Sequence, residues 1–141
     1  MTLRQYVAER AQGCCEYCGW PDWLTPGSFA VEHIQPVVRG GTDDRTNLAY
    51  ACPGCNNAKY DATDALDPAT GQRVPLFNPR QDLWNAHFQW AADQFQQIGL
   101  TPTGRATVAR LRLNRPEVIA MRQVVRRYPT PETLDAPSEI E

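Results

Sequence analysis

Two thiol pairs, Cys15-Glu16-Tyr17-Cys18 and Cys52-Pro53-Gly54-Cys55, limit this chain more than any other feature. In each, the two intervening residues allow a tight turn that presents both sulfurs to one side, the spacing that zinc ligands take. Two such turns complete a tetrahedral shell of four sulfurs at about 2.3 Å from the ion. The 33 residues between Cys18 and Cys52 then form a loop closed at its base by metal. So long a loop cannot bury much core by itself, and metal binding becomes part of its folding free energy. Four buried or redox-active thiols are the alternative. A fifth cysteine, Cys14, could replace Cys15 only by widening the gap in its pair to three residues.

The compartment bears on that choice. The opening MTLRQYVAER is amphipathic and charged, without the apolar stretch of a secretory signal, so a cytoplasmic location is expected. Reducing conditions there disfavour disulfides and favour metal. No run approaches the roughly 18 apolar residues of a membrane span, and no membrane role is expected. A length of 141 residues fits one domain with an appendage. The net charge of −2 conceals an asymmetry: residues 103–128 hold seven arginines against one acid, Glu117. Local fields steer a polyanion more than the total does, so this balance does not exclude a nucleic acid.

The pattern along the chain reads as α+β. Thr2 can cap a first helix that Gly13 stops. Residues 19–28 read as loop, Phe29 to Ile34 as a short strand, Pro36 to Arg45 as a turn-rich loop and Leu48 to Ala51 as a second strand. A helix follows through Lys59, with Pro53 in its first turn. Residues 61–82 show no periodicity and predict an irregular wrap. Phe88 and Trp90 alternate with polar neighbours and can pair with Phe95–Leu100 as a hairpin, although residues 82–97 also accept a helical reading. After Gly104 the spacing is helical, with a break near Asn114-Arg115-Pro116. A last helix runs to Arg127 with Val118, Met121 and Val125 on one face. The proline- and acid-rich tail from residue 129 predicts disorder.

Between the thiol pairs stand Glu32-His33, the Gly40-Gly41 turn and Asn47-Leu48, with Asn56 directly after Cys55 and Lys59 one turn on. In that order, EHIQP, GG, NL and CPGCNNAK resemble the HNH endonucleases, whose ββα-metal motif is often pinned by a CxxC…CxxC zinc. The resemblance covers Cys14 to Lys59. The segment HFQW…GLTPTGRAT…LNR also resembles an extension of some bacterial HNH proteins.

The resemblance implies a division of labour. His33 matches the first position of the motif, the general base. Imidazole suits that role because it is the side chain most readily neutral near pH 7 and able to take a proton from water. Asn47 matches the middle position and would hold the Val37–Arg45 loop, fixing the imidazole. Asn56 matches the last position, and Glu32 the acidic position before the histidine, more often Asp. Their oxygens suit Mg²⁺ or Mn²⁺. Arg39, Lys59, Arg105 and Arg110 are candidate phosphate contacts, and His87 reads as packing beside Phe88 and Trp90.

The whole therefore reads as three parts. Residues 1–62 form a nuclease core pinned through Cys15, Cys18, Cys52 and Cys55 by structural zinc. Residues 63–128 form a mainly helical C-terminal extension, and 129–141 an acidic tail. The expected activity is metal-dependent hydrolysis of DNA, duplex rather than RNA, by a monomer or homodimer. The rivals are a zinc-stabilised nucleic-acid binding module without catalysis and a thiol redox protein.

Overall fold

The computed structural model describes residues 1–24 and 27–127. The expected disordered tail lies outside the described residues. Helix α1 (Leu3–Arg10) starts at a capping box: the Thr2 hydroxyl accepts from Gln5 N at 3.1 Å, and Gln5 Oε1 accepts from Thr2 N at 2.7 Å. It buries Val7 and ends where Gln12 and Gly13 take positive φ. The first thiol turn follows. Strands β1 (Ala30–His33) and β2 (Leu48–Ala51) form an antiparallel ribbon in which Glu32 faces Ala49 and His33 faces Leu48. Helix α2 (Pro53–Lys59) leaves β2 at once. Cys52 is its N-cap, accepting from Cys55 N at 3.4 Å, and Pro53 opens the first turn, where its missing N–H costs nothing.

Residues 61–82 are more regular than their sequence indicates. They carry a second ribbon, β3 (Asp64–Leu66) with β4 (Arg73–Pro75). Three-residue strands are too short to show a period of two, which is why the pattern gives no sign of them. The ambiguous stretch resolves as a one-turn helix α3 (Trp84–His87) running into a hairpin of β5 (Phe88–Trp90) and β6 (Gln97–Gly99). Helix α4 (Pro102–Leu111) begins earlier than its periodicity indicates, because Thr101 caps it and Pro102 takes the first turn. Helix α5 (Pro116–Arg127) completes the described chain.

The architecture is α+β, three small antiparallel ribbons with helices. One buried apolar cluster runs through it, from Val7 and Leu48 to Phe77, Phe88, Leu111, Leu113, Val118 and Met121. Each such Leu or Phe removes apolar surface worth about 1.5–3 kcal/mol. Because the cluster crosses residue 62, extension and core share their interior. Phe77 N, for example, donates to Thr107 Oγ1 at 2.9 Å. Among the described residues no helix is long and apolar enough to cross a membrane.

Candidate functional site

The four cysteines at metal spacing converge. The sulfurs of Cys15, Cys18, Cys52 and Cys55 all lie within 4.8 Å of one another, and every one of these residues is buried. Zinc–sulfur bonds of about 2.3 Å give a tetrahedron with edges of about 3.8 Å, close to the 3.6 Å between the Cys18 and Cys52 sulfurs. Backbone amides support the turns: Cys18 N donates to Cys15 Sγ at 3.5 Å. Burial pushes the Cys15 thiol above its ordinary range, so four thiolates here require a cation to hold their charge. The donor set fits zinc. Cys14 stands outside the cluster, at a β-bridge to Pro21.

Beside this centre the β1–β2 ribbon separates Glu32 from His33, since successive strand residues point to opposite faces. Glu32 points inward and is 5 % exposed. Its Oε1 lies 3.1 Å from Lys59 Nζ, and the Tyr17 hydroxyl is 3.1 Å from both carboxylate oxygens. Burial raises the Glu32 carboxyl from its ordinary range, while the Lys59 ammonium pulls it back. Lys59, itself 2 % exposed, also donates to Ile34 O at 3.1 Å.

His33 faces the other way. Its Nε2 sits 2.7 Å from Asp43 Oδ1, an outward-facing carboxylate at 84 % side-chain exposure. The loop carrying Asp43 is held at both ends by Asn47: Oδ1 accepts from Gln35 N at 2.8 Å, and Nδ2 donates to Gln35 O at 3.1 Å and Thr42 O at 2.8 Å. Gly41 permits this closure, because a Cβ there would lie 1.7 Å from Gln35 O. Asn56 is half-buried on α2, one turn before Lys59, and its side chain makes no hydrogen bond to the described residues.

The candidate phosphate contacts divide. Lys59 is committed to Glu32, and Arg105 forms a two-pronged pair with Asp67 at 2.9 and 2.8 Å. Arg110 donates to Ala58 O and Lys59 O at the end of α2, and Arg39 Nε to Asp61 O; both arginines remain exposed. His87 packs edge-on against Phe77 and meets Thr101 Oγ1 at 2.6 Å, away from His33. Asp43 had no signal of its own in the sequence, where Asp43-Asp44 reads as turn chemistry; only loop closure brings it to His33. A cleft of about 440 Å³, lined by Arg10, Glu16, Phe77, Trp84, Trp90 and Gln97 among others, includes none of Glu32, His33, Asp43 or Asn56.

An antiparallel strand pair followed by a helix, with four clustered thiols at their base, is the arrangement of a ββα core whose thiols fit a structural zinc. The model of the HNH endonuclease family matches residues 15–62. This segment makes up 48 of the 141 residues; the extension lies beyond the match. No curated protein and no solved structure matches the chain.

Proposed function

We propose that the protein is a metal-dependent endonuclease that hydrolyses DNA phosphodiester bonds, with His33 as general base. The observation that carries this reading is the pairing of His33 Nε2 with Asp43. A carboxylate at that nitrogen accepts the Nε2–H, so the lone pair resides on Nδ1, which makes no hydrogen bond to the described residues. Nδ1 then takes the proton from a water attacking phosphorus, and Asp43 stabilises the imidazolium that forms. Asn47 keeps the loop, and therefore Asp43, in place.

The catalytic ion is Mg²⁺ or Mn²⁺ in this reading. Asn56, whose side chain makes no hydrogen bond to the described residues, and Glu32, on giving up its contacts to Lys59 and Tyr17, would hold it. Bound there, the ion supplies Lewis-acid stabilisation of charge on the phosphate and the leaving 3′ oxygen. Zinc at the four cysteines is structural. Arg39 and Arg110, both exposed, would contact the DNA backbone. A single copy with one such centre would nick one strand.

The test is conversion of supercoiled plasmid with Mg²⁺, Mn²⁺ or EDTA. His33→Ala is expected to lower the rate by about 10²–10⁴-fold while zinc content stays unchanged. Undiminished cleavage by that variant removes the base. DNA retention without cleavage under any divalent ion makes the protein a binding module instead.

A further inference from the structure

We infer that Arg115, from the extension outside the family match, is a working part of the zinc centre: its guanidinium donates N–H···S hydrogen bonds to the Cys52 and Cys55 thiolates and offsets their charge. This rests on the reading that the four cysteines hold zinc. Arg115 Nη2 lies 3.5 Å from Cys52 Sγ and 3.8 Å from Cys55 Sγ, and Nη1 lies 3.7 Å from Cys55 Sγ. Nη1 also donates to Leu111 O and Arg112 O at 3.1 Å, and Nε meets Glu117 Oε1 at 3.2 Å.

The charges explain the arrangement. A zinc ion with four thiolates carries a net charge of about −2, costly inside a protein unless compensated. Arg115 is 8 % exposed, so its own charge needs a buried counterpart. Glu117, at 58 % side-chain exposure, is screened by water and serves poorly. The sulfur cluster is the counterpart. A second buried arginine, Arg122, donates to Cys18 O at 3.2 Å, bracing the other thiol turn.

Two features of the sequence acquire a reason together. In Leu113-Asn114-Arg115, Asn114 fixes the turn against β6: its Oδ1 accepts from Gln97 N at 2.7 Å and its Nδ2 donates to Gln97 O at 2.9 Å. The turn delivers Arg115 beneath the second thiol pair. In Cys52-Pro53-Gly54-Cys55, the glycine leaves the space the guanidinium occupies, since a Cβ on Gly54 would lie 2.4 Å from Arg115 Nη2. Hydrogen bonds to sulfur lower its nucleophilicity and slow ligand exchange, so the extension keeps the metal in place.

The experiment uses the full chain. Elemental analysis should give one zinc per wild-type chain; wild type without metal overturns both the zinc reading and this one. With zinc present, Arg115→Ala is expected to lose it to a chromogenic chelator about 10- to 100-fold faster, as outer-shell losses do. Arg115→Lys should recover part of the difference by restoring charge without the fork. In cobalt-substituted protein the thiolate-to-cobalt absorption should move to lower energy in Arg115→Ala, a change that a purely structural role does not produce. Gly54→Ala leaves every cysteine and arginine intact and should shift rate and band the same way by displacing the guanidinium. It decides the matter if Arg115→Ala fails to fold. Zinc release within about twofold of wild type and an unmoved band, in a folded variant, overturn the role of Arg115 while the zinc reading stands.

Discussion

His33 has two ring nitrogens, and what it can do depends on which carries the hydrogen. Asp43 decides this through a 2.7 Å contact with Nε2. Asn at position 43 offers both a donor and an acceptor, so it can hold either tautomer. Asp43→Asn should therefore lower kcat about 10- to 100-fold with little change in KM, less than buried orienting carboxylates give because Asp43 is solvated. Single-turnover nicking measures this, and a wild-type rate would remove Asp43 from the mechanism. Arg39 is exposed and, among the described residues, its side chain spends only Nε, on Asp61 O. If it meets a phosphate, Arg39→Ala should weaken binding evenly across sequences and reduce the salt slope of log K by about one. An unchanged slope would assign Arg39 to bracing its loop.

Elements that look alike in charge differ in what their charges do. Arg105 on α4 and Asp67 beside β3 join two elements through two parallel hydrogen bonds, and Asp67 is fully buried, accepting also from Ala69 N and the Thr70 hydroxyl. The Arg105 guanidinium beside it holds the Asp67 carboxyl well below the usual carboxylate range. A depressed folded value means the stabilisation is fully present above the unfolded value, near pH 3.9, and is lost as pH falls through the folded one. Asp67→Asn should thus lower the urea midpoint at pH 7, and its deficit should shrink as acid is added below about pH 4. A deficit independent of pH would mean that Asp67 acts through its amide-like hydrogen bonds alone. Neither this pair nor the ribbon it anchors was legible in the sequence. Arg105 lies 38 residues from Asp67, and nothing local distinguishes it from the solvated arginines nearby.

Across the described residues, charged and apolar contacts join the two sides of residue 62. Arg80 on the far side pairs with Glu16, and Arg122 reaches Cys18 O. A fragment ending at residue 62 loses these along with Arg115. It should bind zinc about 10- to 100-fold more weakly than the full chain; equal affinity in a competition titration would show that the extension is dispensable. Stripping zinc from the full chain with a strong chelator should lower Tm and open the four cysteines to alkylation, because metal binding is coupled to folding. Thiols that react equally fast before and after would speak for the redox alternative.

What could be read in one dimension is what chemistry fixes over short distances. The two-residue gaps set each thiol pair at metal-ligand spacing, the Pro53 start and Thr2 cap set helix ends, and the order of Glu32, His33, Asn47 and Asn56 pointed to the HNH endonucleases. These rest on residues within a turn of one another, or on a motif carried whole. Direction and partnership were not available there. The motif order suggested that Glu32, His33 and Asn56 would meet in one pocket, whereas the folded ribbon turns Glu32 inward to Lys59 and His33 outward to Asp43. A basic segment does not reveal that Arg105 closes on Asp67 and Arg115 on sulfurs 60 residues away. A charge can pair with any opposite charge, so only the folded backbone selects the partner that shares its buried space.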